Sequence, residues 1–281
     1  MNIPYNYSII IPYRDKYDLF VKAVNSIPDR EDIQIIIVDN APQSLLQEQI
    51  PIRMLNKLTY ITSSPFKGAG CARNVGLKHV QGRYILFLDA DDYFTSEAFF
   101  AFDKYLKENY NIVFFKPTSI KLSDDSMSNR HFKYCNLIDE YIKKGDGEAL
   151  RYRWYTPWSK LFNANYVCSN KFLFEEIKVG NDTWFSVITG HFAKTITADE
   201  SIVYAVTEGE NGSSLTQIRT EENYFVRFQM MIRVNNFLKS INKYKYHIRL
   251  LGCLRIVWND FGFKSFLKFL KYAIDKRACI F

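Results

Sequence analysis

Three carboxylates, Asp89, Asp91 and Asp92, directly follow Tyr84-Ile85-Leu86-Phe87-Leu88, a short and almost wholly apolar run. Such a run, with polar residues on both sides, suits a strand buried on both faces of a parallel sheet. The carboxylates then stand where the chain leaves the sheet, at the strand end where open α/β sheets bind ligands. Clustered carboxylates repel one another and need a counter-charge. A hard divalent cation supplies it, bridging one or two carboxylates to a substrate phosphate. The alternative is a solvated acidic turn that caps a helix beginning near Thr95.

Other polar groups fall at predicted strand ends. Asp39 closes the apolar run Ile33–Val38, where a carboxylate can accept hydrogen bonds from a base or ribose, or simply cap the next turn. Arg14 can pair with phosphate or stack on a base; its other reading is a surface salt bridge. Gly68-x-Gly70 beside Arg73 is half a phosphate loop. A dinucleotide fingerprint needs a third glycine where Arg73 stands, so that class is excluded, and no P-loop is present. Small residues opening a helix still admit a ligand, and the dipole there favours anions. Ordinary turn chemistry and a helix-surface charge are the alternatives.

The positioning elements follow from periodicity. Tyr7–Ile11 reads as a strand ended by Pro12, and Asp15 as the cap of a helix to about Ile27. Strands at Ile33–Val38 and Leu58–Thr62, a helix from Lys67 to about Val80, and the run at 84–88 come next. A helix over Thr95–Asn109 and a strand at Ile112–Phe115 complete an alternation that means βαβ units and a mostly parallel sheet. Residues 118–150 read as a variable insertion without assigned chemistry, with loops at Ser123–Ser126 and Gly145–Gly147. Asn181–His191 reads as helix, Thr195–Val206 as extended, Thr207–Ser214 as a Gly-rich loop, and the chain from Arg219 onward as helical.

Bulk properties bound the class. The 281 residues are 47% hydrophobic and 24% charged, enough for a sizeable core and against general disorder. A net charge of +7 fits anionic partners, but the basic residues are dispersed and match no nucleic-acid motif. The 23 Phe and 19 Tyr read mainly as core. Cys71, Cys135, Cys168, Cys253 and Cys279 form neither a zinc pattern nor a disulfide framework. With no signal-like N-terminus and no apolar run near ~20 residues, the expectation is a cytoplasmic protein in a reducing compartment.

Four segments occur in order at suitable spacing: Ser8-Ile9-Ile10-Ile11-Pro12, Ile36-Ile37-Val38-Asp39, Gly70-x-x-Arg73-Asn74-x-Gly76 and Leu88-Asp89-Ala90-Asp91-Asp92. Each is weak alone. The ordered set resembles the family-2 glycosyltransferases with a GT-A fold, strongly over residues 5–115. It continues more weakly through Trp158-Ser159-Lys160-Leu161-Phe162 and Gly180-Asn181-Asp182-Thr183-Trp184-Phe185. The resemblance implies an α/β, mostly parallel GT-A domain over residues 1–215, with a donor half over 1–117 and an acceptor half over 118–215. A C-terminal helical region over 216–281 follows. The implied activity is inverting, metal-dependent transfer from a nucleotide sugar, UDP-linked, to a hydroxyl of a glycan or lipid-linked acceptor in bacterial surface-polysaccharide synthesis.

The resemblance also implies residue roles. Pro12, Arg14 and Asp39 line the uridine site, Arg73 lies near the nucleotide sugar, and Asp89 contacts ribose or sugar. Asp91, with Asp89, binds Mn²⁺ or Mg²⁺ on the diphosphate. Asp182 matches the acceptor-activating base, and Lys160 is a donor or acceptor contact. The chain departs from the family pattern in several places. Asn181 replaces a usual Glu, and Asp39-Asn40-Ala41-Pro42 replaces Asp-Asp-Gly-Ser. Tyr13-Arg14-Asp15 is similar to the Pro-Phe-Arg stretch of animal β-1,4-galactosyltransferases, a pointer to galactose-type donors. Gly209–Ser214 lacks the Arg that the family's late loop often carries. Near the C-terminus, Phe263, Phe266, Leu267, Leu270 and Ile274 share one helical face, and Lys264, Lys268 and Lys271 the opposite one. The two readings are a helix packed on the domain and an interfacial helix at an anionic membrane surface. Two other classes fit parts of the pattern, a sugar nucleotidyltransferase and a non-catalytic nucleotide-sugar-binding subunit at the membrane.

Overall fold

The computed structural model describes residues 4–41, 58–63, 68–209 and 219–278. Pro42, Lys67, Cys279 and residues 210–214 of the Gly-rich stretch lie outside them. β1 (Tyr5–Tyr13), β2 (Ile33–Asp39), β3 (Leu58–Thr62) and β4 (Gly82–Phe87) form the parallel half of one sheet. The long apolar runs have their reason here: Ile9, Ile10 and Ile11 of β1 and Ile36, Ile37 and Val38 of β2 are fully buried, as strands covered on both faces must be. Helices α1 (Tyr17–Asn25) and α2 (Gly68–Leu77) connect these strands, and α2 packs on β1 and β2.

The second half of the sheet is mixed. It contains β5 (Tyr93–Phe94), β6 (Ile112–Lys121), β7 (Lys160–Asn163) and β8 (Ile196–Glu208), in the spatial order β3-β2-β1-β4-β7-β6-β8-β5. β7 runs antiparallel to both β4 and β6, and β6 runs parallel to β8. The carboxyl ends of β1, β2 and β4 share one edge: Tyr13 is in register with Asp39, and the Leu88 N–H donates to the Ile10 carbonyl at 3.1 Å.

Several elements differ from their sequence reading, for physical reasons. The helix expected over Thr95–Asn109 is α3 (Ala98–Asp103) only. Beyond it, Tyr105 and Leu106 donate to the third carbonyl back, and the Tyr84 hydroxyl lies 2.8 Å from the Tyr105 and Glu108 carbonyls. Asp15 does not cap α1. The residue before that helix is Lys16, in the left-handed region at φ 70°. Residues 118–150, read as a variable insertion, carry regular structure between the two expected loops: β6 continues to Lys121, and α4 (Phe132–Lys144) and α5 (Glu148–Arg153) follow, with loops at 122–126 and 145–147.

After β7 come α6 (Ala164–Ser169) and α7 (Asn181–Phe192); after β8 come α8 (Glu221–Ser240), a 3₁₀ turn at Tyr244–Tyr246, and α9 (Leu250–Asp275). Met230, Val234 and Leu238 of α8 pack on Tyr152 and Val187, which fixes this helix to the domain. Its other apolar side, Tyr224, Phe228 and Ile232, meets α9. Gly262, at φ 80° and ψ 179°, breaks α9. Beyond the break, α8 covers one face of the helix. The buried stripe there is Ser265, Phe269 and Ala273, while Phe263, Leu267 and Ile274 of the predicted apolar face are exposed. Lys268 bonds Glu221 of α8 at 2.8 Å, so it does not share the open face of Lys264 and Lys271.

Candidate active site

The three carboxylates of the turn after β4 have three different surroundings. Asp92 is 4% exposed. It accepts from the Tyr204 hydroxyl at 2.9 Å and the Thr207 N–H at 2.7 Å. Burial, and then the charges of Asp91 and Asp89, push its carboxyl well above the usual range. Asp92 therefore staples the turn to β8. Tyr204 also accepts from the Asp89 N–H at 3.1 Å and stacks on Trp158, the rings 5.5 Å apart and 9° from parallel. Asp89 accepts from Arg73 at 2.5 Å. Asp91 is the member left facing open space, with Lys16 at 3.6 Å. Burial first, and then the Asp89 charge, raises its carboxyl.

Arg73 joins this turn to the start of α7. It is 5% exposed, donates to Asn181 Oδ1 at 2.9 Å, and lies over the Phe174 ring at 5.2 Å. Gly70 makes the approach feasible. A Cβ there would stand 2.2 Å from the Glu175 carbonyl and 2.9 Å from the Asn181 Cβ. The small residues opening α2 thus admit a neighbouring segment of the same chain, not a ligand as their sequence context implied. Removing Asp89 would leave the buried Arg73 guanidinium without its bonded counter-charge.

Asp182 follows one residue later. Gly180 precedes α7 at φ 74°. Arg73 takes the Asn181 oxygen, and Asp182 lines the cavity from the first turn of the helix, where a backbone N–H also favours its ionised form. Burial raises its carboxyl, opposed by the Arg73 charge. A carboxylate held so is a stronger base than a solvated one and still ionises.

Asp89, Asp91 and Asp182 line one cavity of about 570 Å³. The same cavity is lined by Arg130, Lys133 and Tyr155, which the sequence reading did not single out. Their signal was faint: two cations three residues apart where α4 begins, in a stretch read as an insertion. Pro12 lies half-buried at the end of β1, and Arg14 is exposed just beyond it. Asp39 is 2% exposed and accepts from Ala41 N–H at 2.9 Å and the Tyr60 hydroxyl at 2.5 Å. Lys160 does not line this cavity. It is 2% exposed, donates to the Trp154 carbonyl at 3.2 Å, and sits among the rings of Phe114, Trp154 and Phe162. Burial drives its ammonium well below the usual lysine range.

The residues present fit a hard divalent cation in one specific way. Among the described residues no three His, Cys, Asp or Glu side chains converge on one point, so an all-protein cage is absent there. Asp91 offers one open carboxylate, opposed only by a long, half-exposed contact to Lys16. A divalent cation held by one or two carboxylates takes its remaining oxygens from substrate phosphate and water. Asp91, with Asp89 beside it, meets that requirement, whereas Asp92 is committed to Tyr204 and Thr207.

The acidic turn and the second carboxylate thus share one cavity at the carboxyl edge of the parallel strands, where open α/β sheets bind ligands. The model of the family described as Glycosyl transferase family 2 matches residues 8–169, and the chain belongs to that family. It is 28% identical over 231 residues to a poly(ribitol-phosphate) beta-glucosyltransferase of Bacillus spizizenii, covering 77% of this chain and 35% of that protein. It is 24% identical to the poly(ribitol-phosphate) beta-N-acetylglucosaminyltransferase TarS of Staphylococcus aureus, covering 82% and 40%. The chain thus spans well under half the length of these relatives. Among solved structures it is similar to residues 1–349 of S. aureus TarS in complex with UDP-GlcNAc, at TM-score 0.61, 20% identity, and 82% and 67% coverage. It is also similar to a mannosyltransferase of Pyrobaculum calidifontis in complex with GDP-Man and Mn²⁺, at TM-score 0.58, 13% identity, and 96% and 75% coverage. The GT-A architecture expected from the sequence is the one found.

Proposed function

We propose that this chain is an inverting, metal-assisted glycosyltransferase that moves a sugar from a UDP-sugar to a hydroxyl of a glycan or lipid-linked acceptor in surface-polysaccharide synthesis. The observation that carries the reading is the placement of Asp91 and Asp182 on one cavity, with Arg73 bonded to Asp89 and Asn181 between them. The names of the relatives, poly(ribitol-phosphate) transferases, support the substrate class. Mn²⁺ or Mg²⁺ at Asp91 and Asp89 would neutralise the charge growing on the leaving diphosphate. Pro12, Arg14 and Asp39 would bound the uridine end, and Arg73 would hold Asp89 toward the sugar.

In the transfer, the acceptor oxygen forms a bond to the anomeric carbon as the carbon–oxygen bond to the diphosphate breaks. The bonding pair leaves with the diphosphate, and Asp182 takes the hydroxyl proton. A single displacement inverts the anomeric centre. Lys160 acts at one remove, holding the Trp154 carbonyl and with it the Tyr155–Trp158 wall. Phe263 and Leu267, exposed beside Lys264 and Lys271, support a peripheral position on an anionic membrane, at its cytoplasmic face.

Screening UDP- and GDP-sugars with Mn²⁺ for nucleotide release tests the reading. A UDP-sugar should be hydrolysed slowly without acceptor. Absence of both binding and release across the panel would overturn it.

A further inference from the structure

Lys16 breaks three local rules at once. It is the last residue before α1, and its carbonyl accepts the first bond of that helix, from the Phe20 N–H at 3.1 Å. A residue in that place normally has extended backbone and a short side chain that caps the helix. Lys16 has φ 70° and ψ 62°, in the left-handed region that residues with a Cβ avoid, and its side chain makes no capping bond. It also puts a cation at the end of a helix whose dipole favours anions. Lys171 and Arg277 share the left-handed backbone, but both follow helix ends, where that conformation is common. Nothing local compensates Lys16, so its reason lies where the side chain goes.

It goes to Asp91. The Lys16 ammonium lies 3.6 Å from Asp91 Oδ2, with both side chains partly exposed. Asp15 and Asp18 are far nearer in sequence, yet among the described residues neither pairs with it. Lys16 follows β1, which lies between β2 and β4 in the sheet. Asp39, at the end of β2, bounds the uridine end of the proposed donor site, and the turn after β4 carries Asp91. A donor that spans those two points lays its diphosphate across the end of β1. An ammonium on a flexible stem there can swing from a carboxylate to a phosphate oxygen as a compact point charge.

We infer that Lys16 is a binding residue for the donor diphosphate, held by Asp91 until that carboxylate is given over to a divalent cation. The inference rests on the transferase reading and adds a residue to its donor site. Lys16 and the cation compete for Asp91 in the absence of UDP, and both act on the diphosphate in its presence. The ion pair keeps the ammonium beside the place where the phosphates arrive, and keeps the open carboxylate from standing uncompensated before they do. A charge-assisted bond to a phosphate oxygen is stronger than the long contact it replaces.

The test compares the full chain with Lys16→Asn. Asparagine tolerates the left-handed region and is a good residue before a helix, so this variant should melt no lower than wild type. Mn²⁺ binding is followed by the paramagnetic resonance of the free ion, and UDP binding by calorimetry with and without Mn²⁺. Without UDP, Lys16→Asn should bind Mn²⁺ about two- to fivefold more tightly, the weight of a part-exposed ion pair. Without metal, it should bind UDP about tenfold more weakly, as expected for a lost charge-assisted contact. Lys22→Gln is the control for net charge. Lys22 lies on α1, its ammonium 4.4 Å from the Tyr93 ring centre, and its loss should change neither affinity. Equal Mn²⁺ binding by wild type and Lys16→Asn, or none by either, would overturn the inference. So would metal-free UDP binding that is undetectable in wild type or unchanged in the variant. The same two changes in Lys22→Gln would reduce the effect to net charge and overturn it as well. In each of these cases wild type that binds UDP with Mn²⁺ leaves the transferase reading standing, whereas wild type that binds no UDP under either condition would overturn both readings together.

Discussion

In the turn after β4 each carboxylate has its own partner and its own degree of burial, whereas along α9 Lys264 and Lys271 share one environment, the solvent. The contrast matters because the medium sets what a charge can do. At an effective dielectric constant near 20, two charges 4 Å apart interact by about 4 kcal/mol, against ~1 kcal/mol in water. Charges in the turn can be held apart in function: Asp92 structural, Asp89 anchored, Asp91 open. Charges on α9 act only as a sum, and salt weakens them. Single substitutions should therefore have large, distinct effects in the site and small, additive ones on the helix.

The largest effect is expected for Asp182→Asn. Turnover should fall ~10²–10⁴-fold, the range for a lost general base. Melting temperature and UDP affinity should change little, since the amide keeps the side chain's shape and an acceptor oxygen at the helix start. The sign of the pH effect follows from its raised carboxyl. The base works ionised, so kcat should decline as pH falls through a value above the ordinary carboxylate range. Near-normal turnover in the variant, or an acid limb at an unperturbed carboxylate position, would remove Asp182 from the role.

Asp91→Asn comes next. The amide keeps the shape and loses the charge that a hard cation needs. UDP binding should lose its Mn²⁺ dependence while the thermal transition stays in place. Calorimetry with and without Mn²⁺ decides, and wild-type enhancement by metal would reassign the site.

Asp92 separates stability from chemistry within the same turn. Asp92→Ala leaves the Tyr204 hydroxyl and Thr207 N–H without their acceptor and should cost about 1–3 kcal/mol per orphaned group. Asp92→Asn retains an acceptor and should cost much less. Its raised carboxyl means that the folded state holds the proton more tightly than the unfolded chain. The associated stability is present below the unfolded pKa and lost as pH rises through the folded one. Denaturant titrations across acid to neutral pH should show that loss in wild type and not in Asp92→Asn.

The same contrast explains what could be read in advance. β1, β2 and β4 were legible because burial on both faces demands unbroken apolar runs, and the acidic turn because it directly follows one. Arg73 and Asp182 were legible as motif residues, but their link through Asn181 was not, since Gly70 gives no hint of which segment approaches it. Lys160 illustrates a different gap. A lysine between Ser159 and Leu161 reads as a ligand contact, and nothing local shows that three aromatic rings and the Trp154 carbonyl enclose it. Arg130 and Lys133 were hidden because residues 118–150 are polar and mixed and read as an insertion, although β8 and α4 bring them to the cavity. The α9 wheel could not show which of its faces α8 would cover, and α8 takes the one centred on Phe269.

The smallest effect is expected on α9, and point variants suit it better than truncation. Phe269 and Ala273 are fully buried against α8, so removing residues 262–281 would strip a packed face and unsettle the domain. Phe263→Ser with Leu267→Ser removes exposed apolar surface, at the loss of the Phe263 ring contacts with Trp258 and Phe266, and Lys264→Gln with Lys271→Gln removes solvated charge. If this face meets an anionic membrane, each lysine is worth about 1 kcal/mol near the surface and its share should fade with salt. Flotation with vesicles of mixed neutral and anionic lipid should show weaker recovery for both pairs, with the lysine pair losing its effect at high ionic strength. Turnover of a soluble acceptor should be unaffected, because the cavity lies elsewhere. Wild type that fails to float, or a serine pair that binds as wild type does, would rule out the membrane. A serine pair that converts a wild-type dimer to a monomer would show that the face meets a second copy of the chain instead.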